Sequence, residues 1–241
     1  MKKYTIKSMY VALVKLVLKN KLLCNVITKL SLRLHSFFYK LSSFLAILLN
    51  DGMHPKHNIL EYKKWFVDNI GKNTVVLDVG CNTGLMAYSM SKKASYVYAI
   101  DINCRHIQVA RKNHMSNNVN YICSDATTYD YSQCKLIQMV TLSNVLEHIE
   151  YRVDFLKKLI NQIPWANNSK TLLIRVPMLD REWISVYKKE IGVEYRLDNT
   201  HFIEYTYESF KKEMDEAKID ILSHHVKFGE IYAICQAVNG S

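Results

Sequence analysis

The sequence predicts an α/β protein: a doubly wound sheet of seven strands, mostly parallel with an antiparallel last strand, behind a basic helical segment. Three observations carry this. Short apolar, β-branched runs alternate with stretches whose apolar residues recur at helical spacing, the pattern of strands joined by crossover helices. A glycine-rich turn, "DVGCNTG" at 78–84, falls between the first such run and the helix after it, where these sheets bind ligands. Charge is concentrated at one end: residues 1–50 carry nine Lys or Arg and no acid, whereas 51–241 hold 23 basic and 22 acidic residues.

The first segment therefore supplies +9 of the net charge of +10. A nearly neutral body argues against a nucleic-acid-gripping face on the domain itself. Within 1–50, apolar runs such as 9–14 and 41–49 are interrupted by Lys or Arg before they reach the ~20 apolar residues of a spanning helix, so the segment is not expected to cross a bilayer. It starts like a signal peptide, but Lys15, Lys19 and Lys21 break the apolar region and no small-x-small cleavage site follows, so secretion is not expected. On a wheel of about 100° per residue, Lys15, Lys19, Lys29, Arg33 and Lys40 fall within roughly 80°, with Lys21 outside. Such a basic amphipathic helix, or pair of helices, suits an anionic membrane surface. The same pattern suits helices that pack their apolar sides on the domain or on a second subunit, and a basic arm suits RNA.

The remaining elements follow in order. Residues 57–70, "HNILEYKKWFVDNI", predict a helix with Gly71 at its C-cap, and 74–79 a strand. Then come a helix over 84–93, a strand over 95–100 ending in Asp101, a helix over 103–115 and strands over 119–123 and 136–142. A helix over 151–163, a strand over 171–176, a helix over 207–217 and strands over 219–226 and 231–238 complete the chain. Only "KFGE" separates the last two strands, too short for a crossover, so they form a hairpin and the final strand runs antiparallel. The domains are thus 1–50 and 51–241. The six cysteines show no C-x-x-C pair and no metal-ligand spacing, and read as mostly buried thiols in a reducing, cytoplasmic compartment.

The turn at 78–84 presents Gly80, Asn82 and Gly84. A dinucleotide loop, G-x-G-x-x-G, would want glycine where Leu85 stands; the spacing found is closer to G-x-G-x-G. Over residues 74–149, "VVLDVGCNTG", "AIDIN", "CSDAT" and "SNVLEHI" resemble, in order, the motif series of class I S-adenosylmethionine-dependent methyltransferases. The hairpin-ended arrangement is similar to that family's Rossmann-like seven-stranded fold. The resemblance implies an enzyme with S-adenosyl-L-methionine as cofactor. It implies that Asp101 accepts hydrogen bonds from both ribose hydroxyls, that Ile102 lies against the adenine, and that Asp125 with Ala126 meets the adenine amino group. It implies further that Asp78, Gly80 and Cys81 hold the methionine end, Asp78 on the ammonium group directly or through water, and that Asn144 closes the site from the fourth strand. Asn82 is expected in the left-handed region, which Asn tolerates at modest cost, with a side chain that reaches the ligand. Gly80 and Gly84 stay where close approach matters.

No Asn/Asp-Pro-Pro-aromatic loop follows the fourth strand and no Pro-Cys pair is present, which excludes two patterns of amine and cytosine-carbon methylation. "VLEH" instead resembles small-molecule O-methyltransferases, including those acting on quinones, natural products and sugars. "DGMHPKHNILEYKKWFVDNI" and "HFIEYT" resemble methyltransferases of polysaccharide and lipopolysaccharide biosynthesis. An O-methyl transfer must align acceptor and methyl group and remove a hydroxyl proton. His148 is the first candidate for that base, or a packing histidine. Glu147 pairs with His148 or joins it on a metal, but one Glu and one His do not make a metal set, and none is expected. A second candidate group, Asp198, His201 and Tyr205, lies in "RLDNTHFIEYT", where four-residue spacing would put His201 and Tyr205 on one face. A third, 51–57 with His54 and His57, would fold over the cofactor as a lid. The expected function is O-methylation of a sugar or other hydroxyl of a glycan or lipid-linked intermediate at the inner face of a membrane. An RNA methyltransferase with a basic arm and a non-catalytic S-adenosylmethionine-binding scaffold are the alternatives.

Overall fold

The computed structural model describes residues 6–50, 52 and 54–238. Two N-terminal helices, α1 (Ile6–Lys19) and α2 (Lys21–Leu49), precede α3 (Lys56–Leu60) and α4 (Tyr62–Asn69). The alternating part runs β1 (Val75–Val79), α5 (Leu85–Ser91), β2 (Tyr96–Asp101), α6 (Cys104–Asn113), β3 (Val119–Cys123), β4 (Met139–Ser143), α7 (Arg152–Gln162) and β5 (Thr171–Pro177). It ends in α8 (Trp183–Glu190), α9 (Tyr207–Glu216), β6 (Ile219–Lys227) and β7 (Glu230–Ala237).

The seven strands form one sheet in the order β3-β2-β1-β4-β5-β7-β6. β1 to β5 pair in parallel, and β7 runs antiparallel to both of its neighbours, as the short "KFGE" connection requires. Parallel strands are covered on both faces and so read as apolar runs. On one face Phe66, Met86, Met90, Ile107 and Ala110 of α4 to α6 are buried; on the other, Phe155, Leu156 and Leu159 of α7 meet Phe210 and Met214 of α9. Strand order reverses between β1 and β4, and ligands of such sheets bind in the crevice this opens at the carboxyl ends.

Four local expectations are corrected. The helix over 57–70 breaks at Glu61, whose φ of 52° ends α3 and leaves α4 to start afresh. Helix α8 has no predicted counterpart. Cys104 and Cys123, read as thiols, form a disulfide with Cα atoms 5.1 Å apart. Parallel pairing of β2 with β3 sets Asp101 opposite Cys123, and Cys104 begins the helix just beyond Asp101, so the two meet across 19 residues. Cys24, Cys81, Cys134 and Cys235 are free. Finally, the boundary between 50 and 51 does not describe the division found. The described residues of Met1–Lys56 form one compact unit with Ile184–Tyr195, and those of His57–Trp183 and Arg196–Ser241 form the other. Lys188 of α8 is buried and donates from Nζ to Ser36 Oγ of α2 at 2.9 Å, a contact that spans 152 residues.

In the first unit Asn20 separates the two helices, its side chain accepting the Leu23 N–H at 3.1 Å as an N-cap. The basic segment is thus a pair of helices; Lys2 and Lys3 lie outside the described residues. Helix α2 is continuous over 29 residues, and its mean hydropathy reaches 1.2, so by length and composition it is able to cross a membrane despite Lys29, Arg33 and Lys40. Its orientation is unusual. The buried or half-buried residues Thr28, Lys29, Leu32, Ser36, Ser43, Ala46 and Ile47 occupy an arc of about 100°, with half-buried Leu23 and Cys24 outside it, while exposed Val26, Leu30, Phe37, Leu41, Phe44 and Leu48 lie roughly 140° away. Lys29, Arg33 and Lys40 form a band of about 40° flanking that exposed apolar face.

Candidate active site

The site grows from the turn after β1. Gly80, at φ 72°, has no room for a side chain: a Cβ there would lie 2.5 Å from Val145 Cγ2. The Gly80 and Cys81 N–H groups donate to Ile100 O at 2.8 and 3.0 Å, tying the turn to β2. Asn82 adopts φ 51°, the left-handed geometry expected of it. Its N–H donates to Asp101 Oδ2 at 2.8 Å, and its Oδ1 accepts the Thr83 N–H at 2.7 Å. Asp101 Oδ1 accepts the Asn103 N–H at 2.8 Å. Each carboxylate oxygen retains a lone pair, so Asp101 is positioned to take a diol.

From β3, Asp125 Oδ1 accepts both the N–H and the hydroxyl of Thr127 at 2.8 Å, which sets the turn that carries Ala126. From β4, Asn144 is held at φ 54° with its N–H on Arg175 O at 2.8 Å and its Oδ1 accepting from Arg175 Nε at 3.2 Å. Gly80, Asn82, Asp101, Ile102, Asp125, Ala126 and Asn144 all line one cavity of about 970 Å³, at the upper end of small-molecule sites. Val145, Ile149, Tyr151 and Phe155 complete an apolar wall that the motif positions alone do not reveal.

Three expected contacts are placed otherwise. Asp78 is fully buried beneath the turn, its Oδ1 accepting the Thr141 hydroxyl at 2.7 Å, and it does not line the cavity. Burial first, and the Asp101 charge after it, push its carboxyl up to about 7. Cys81 turns its thiol into the core beside Met86 and Tyr121, where burial raises its pKa. Gly84, at φ 80°, does not face the cavity: a Cβ would lie 2.7 Å from Ala110 Cβ and from Tyr121 Cε1, so this glycine admits α6 and β3.

The Asp78 carboxyl gives a pH dependence. A folded pKa of about 7 against 3.8 for the free group means that the fold holds a proton the unfolded chain has lost between those values. Stability of the ligand-free protein should therefore fall as pH rises from about 4 to 7. Melting temperatures across that window should decline less steeply for Asp78→Asn than for wild type; equal slopes would refute the assignment.

His148 and Thr200 also line the cavity. The Phe202 N–H donates to Glu147 O at 2.7 Å and pins the 198–204 loop against the turn Leu146–His148. This brings the His148 and His201 rings to 4.7 Å between centroids. His148 Nδ1 lies 2.9 Å from Thr200 Oγ1, and His201 Nδ1 lies 3.2 Å from Glu204 Oε1. Burial, with His201 adding to it, lowers the His148 pKa. Burial raises Glu147 to about 8. The loop is not helical, so the four-residue spacing fails: Tyr205 is buried elsewhere, its hydroxyl donating to Glu213 Oε2 at 2.8 Å. Asp198 holds Thr200 through its Oδ1. Of the expected lid, Asp51 and Met53 lie outside the described residues, and neither His54 nor His57 lines the cavity. Thr200, Phe202 and Glu204 had no sequence signal, because their roles depend on the loop's return to β4.

A sheet of this order, with an acid at the end of β2 facing the first turn, is the arrangement expected of a class I methyltransferase domain. Residues 77–162 match the family described as Methyltransferase domain. The chain is 28% identical over 147 residues to the ribosomal protein L11 methyltransferase of Thermotoga neapolitana, covering 60% of this chain and 51% of that protein. It is 33% identical over 76 residues to the ubiquinone biosynthesis O-methyltransferase of Serratia proteamaculans, covering 31% and 32%. The chain spans about half the length, or less, of these curated relatives. Among solved structures, the magnesium protoporphyrin IX methyltransferase of Synechocystis PCC 6803 with bound SAH aligns at a TM-score of 0.56 and 15% identity, over 76% of this chain and 83% of that one. An S-adenosylmethionine-dependent methyltransferase of Clostridium acetobutylicum aligns at 0.56 and 12% identity, over 84% and 99%. Residues 77–162 thus carry the match to the methyltransferase domain, and the chain shares the fold of S-adenosylmethionine-dependent methyltransferases.

Proposed function

We propose that this protein transfers the methyl group of S-adenosylmethionine to a hydroxyl of a glycan or lipid-linked intermediate at the cytoplasmic face of a membrane. The observation that carries the transfer is one cavity lined by Asp101, Asn82 and His148 together. A ribose held by Asp101 would leave the sulfonium between the β1 turn and β4, so an acceptor entering from His148 would approach it. Val145, Ile149 and Phe155 line that path with apolar side chains. The His148, His201 and Glu147 cluster is then where the acceptor hydroxyl would lose its proton. Incubation of the purified protein with labelled S-adenosylmethionine and lipid-linked glycan extracts tests this: a labelled lipid that gains one methylene's mass is expected. Label found only in RNA or protein would sink the acceptor class.

The membrane part rests on α2, which turns its apolar arc outward with Lys29, Arg33 and Lys40 beside it. Apolar residues in that position cover hydrocarbon, and flanking cations meet lipid phosphates. An RNA-binding arm has no use for exposed Leu30, Phe37 and Phe44. Anionic lipid marks the cytoplasmic leaflet and attracts each cation by about 1 kcal/mol. Replacing all three cations by Ala should therefore weaken sedimentation with anionic vesicles by about 100-fold, with little change on neutral ones. Equal loss on both vesicle types would remove the charge argument.

A further inference from the structure

We propose that Glu147, His148 and His201 form a divalent-metal site that binds the acceptor hydroxyl, an inference that deepens the methyl-transfer reading and rests on it for the metal's role. One donor atom from each of the three residues lies within 4.8 Å of the others. Glu147 is fully buried, yet neither of its carboxylate oxygens has a hydrogen-bond partner among the described residues. A buried carboxylate without partners is costly, and a cation is what most directly compensates it.

The hydrogen bonds around the two histidines fix which nitrogen is available. The Thr200 hydroxyl donates its one proton to Asp198 Oδ1 at 2.8 Å, so toward His148 it accepts, and the His148 proton sits on Nδ1. Glu204 receives hydrogen bonds from Arg181 and from the Leu197 N–H, and is therefore an ionised acceptor for His201 Nδ1–H. Both rings thus turn an Nε2 lone pair away from these anchors. An outer carboxylate or hydroxyl that holds the distal ring nitrogen is the usual support of a metal-binding histidine. Two imidazoles and one carboxylate suit a first-row divalent ion, and three protein ligands leave positions open for substrate. His148 lines the cavity, so a metal held by it would border the acceptor path.

On the metal, the acceptor hydroxyl becomes more acidic and releases its proton to solvent water. Its oxygen then forms the bond to the methyl carbon as the carbon–sulfur bond breaks. The electron pair remains on sulfur, converting the sulfonium to the thioether of S-adenosylhomocysteine. The histidines act as ligands in this scheme and carry no proton.

The test titrates chelator-stripped full-length protein with Zn(II), Mn(II), Co(II) and Mg(II) by calorimetry, alongside S-adenosylhomocysteine. One equivalent of at least one transition ion is expected to bind, with affinity lowered at least 10-fold in Glu147→Gln and His201→Ala, and 10- to 100-fold in Glu204→Gln, a positioning residue. S-adenosylhomocysteine affinity should change less than threefold in all three. The Co(II) protein should show two paramagnetically shifted, exchangeable imidazole N–H signals, a readout that needs no variant. Folded wild type that binds S-adenosylhomocysteine but none of the ions overturns the site, as does metal binding unmoved by the substitutions or a Co(II) spectrum without imidazole signals. Metal uptake without any methylated hydroxyl acceptor would instead refute only the methyl-transfer reading.

Discussion

Asp101→Ala is expected to weaken S-adenosylhomocysteine binding by at least about 100-fold, because the two charge-assisted hydrogen bonds that Asp101 would make to the ribose, each of about 1.5–3 kcal/mol, would be lost together. The loss reaches beyond the ligand. Asp101 Oδ2 also holds the Asn82 N–H and its Oδ1 the Asn103 N–H, both at 2.8 Å, so the first turn and the start of α6 lose their common acceptor. Asp101→Asn keeps one acceptor oxygen and should lie between the two. Calorimetry on protein shown to be folded checks this. A change under tenfold for Asp101→Ala at unaltered melting temperature would mean that the ribose is held elsewhere.

Gly84→Ala should cost about 2–5 kcal/mol of stability. The added methyl would stand 2.7 Å from Ala110 Cβ and from Tyr121 Cε1, so α5 or α6 must move. Overpacking of this kind costs about 1–3 kcal/mol, and the left-handed φ of 80° adds about 1–2 kcal/mol for a residue with a side chain. Denaturant unfolding measures it directly. A loss below about 1 kcal/mol would show that the α5–α6 contact relaxes easily. Since Gly84 packs behind the cavity and does not line it, S-adenosylhomocysteine affinity of the folded fraction should fall much less than in Asp101→Ala.

The two glycines of the turn show how far a linear reading carries. The left-handed geometry of Asn82, and with it its ability to replace a glycine, was legible from the loop pattern. What each glycine makes room for was not: Gly80 admits Val145 from after β4, and Gly84 admits Ala110 and Tyr121. The same division holds in the site. Asp101, Asp125 and Asn144 could be placed because each lies at or just past the end of a strand, and parallel strands deliver their carboxyl ends to one edge. His201 could not be joined to His148, nor Tyr205 separated from it, since the 198–204 loop follows neither helical nor strand periodicity.

By itself, then, the sequence determined the order of the strands and of most helices between them, the antiparallel final strand, the ligand turn and the methyltransferase resemblance it carries. These depend on residues close together in the chain: apolar period, turn chemistry and connection length. Only the tertiary structure decided that Cys104 meets Cys123, that Lys188 reaches Ser36, that α2 turns its apolar arc outward, and that Glu147, His148 and His201 converge. Each of these sets by long-range packing which face of a segment meets which other, and periodicity describes a face without naming its neighbour.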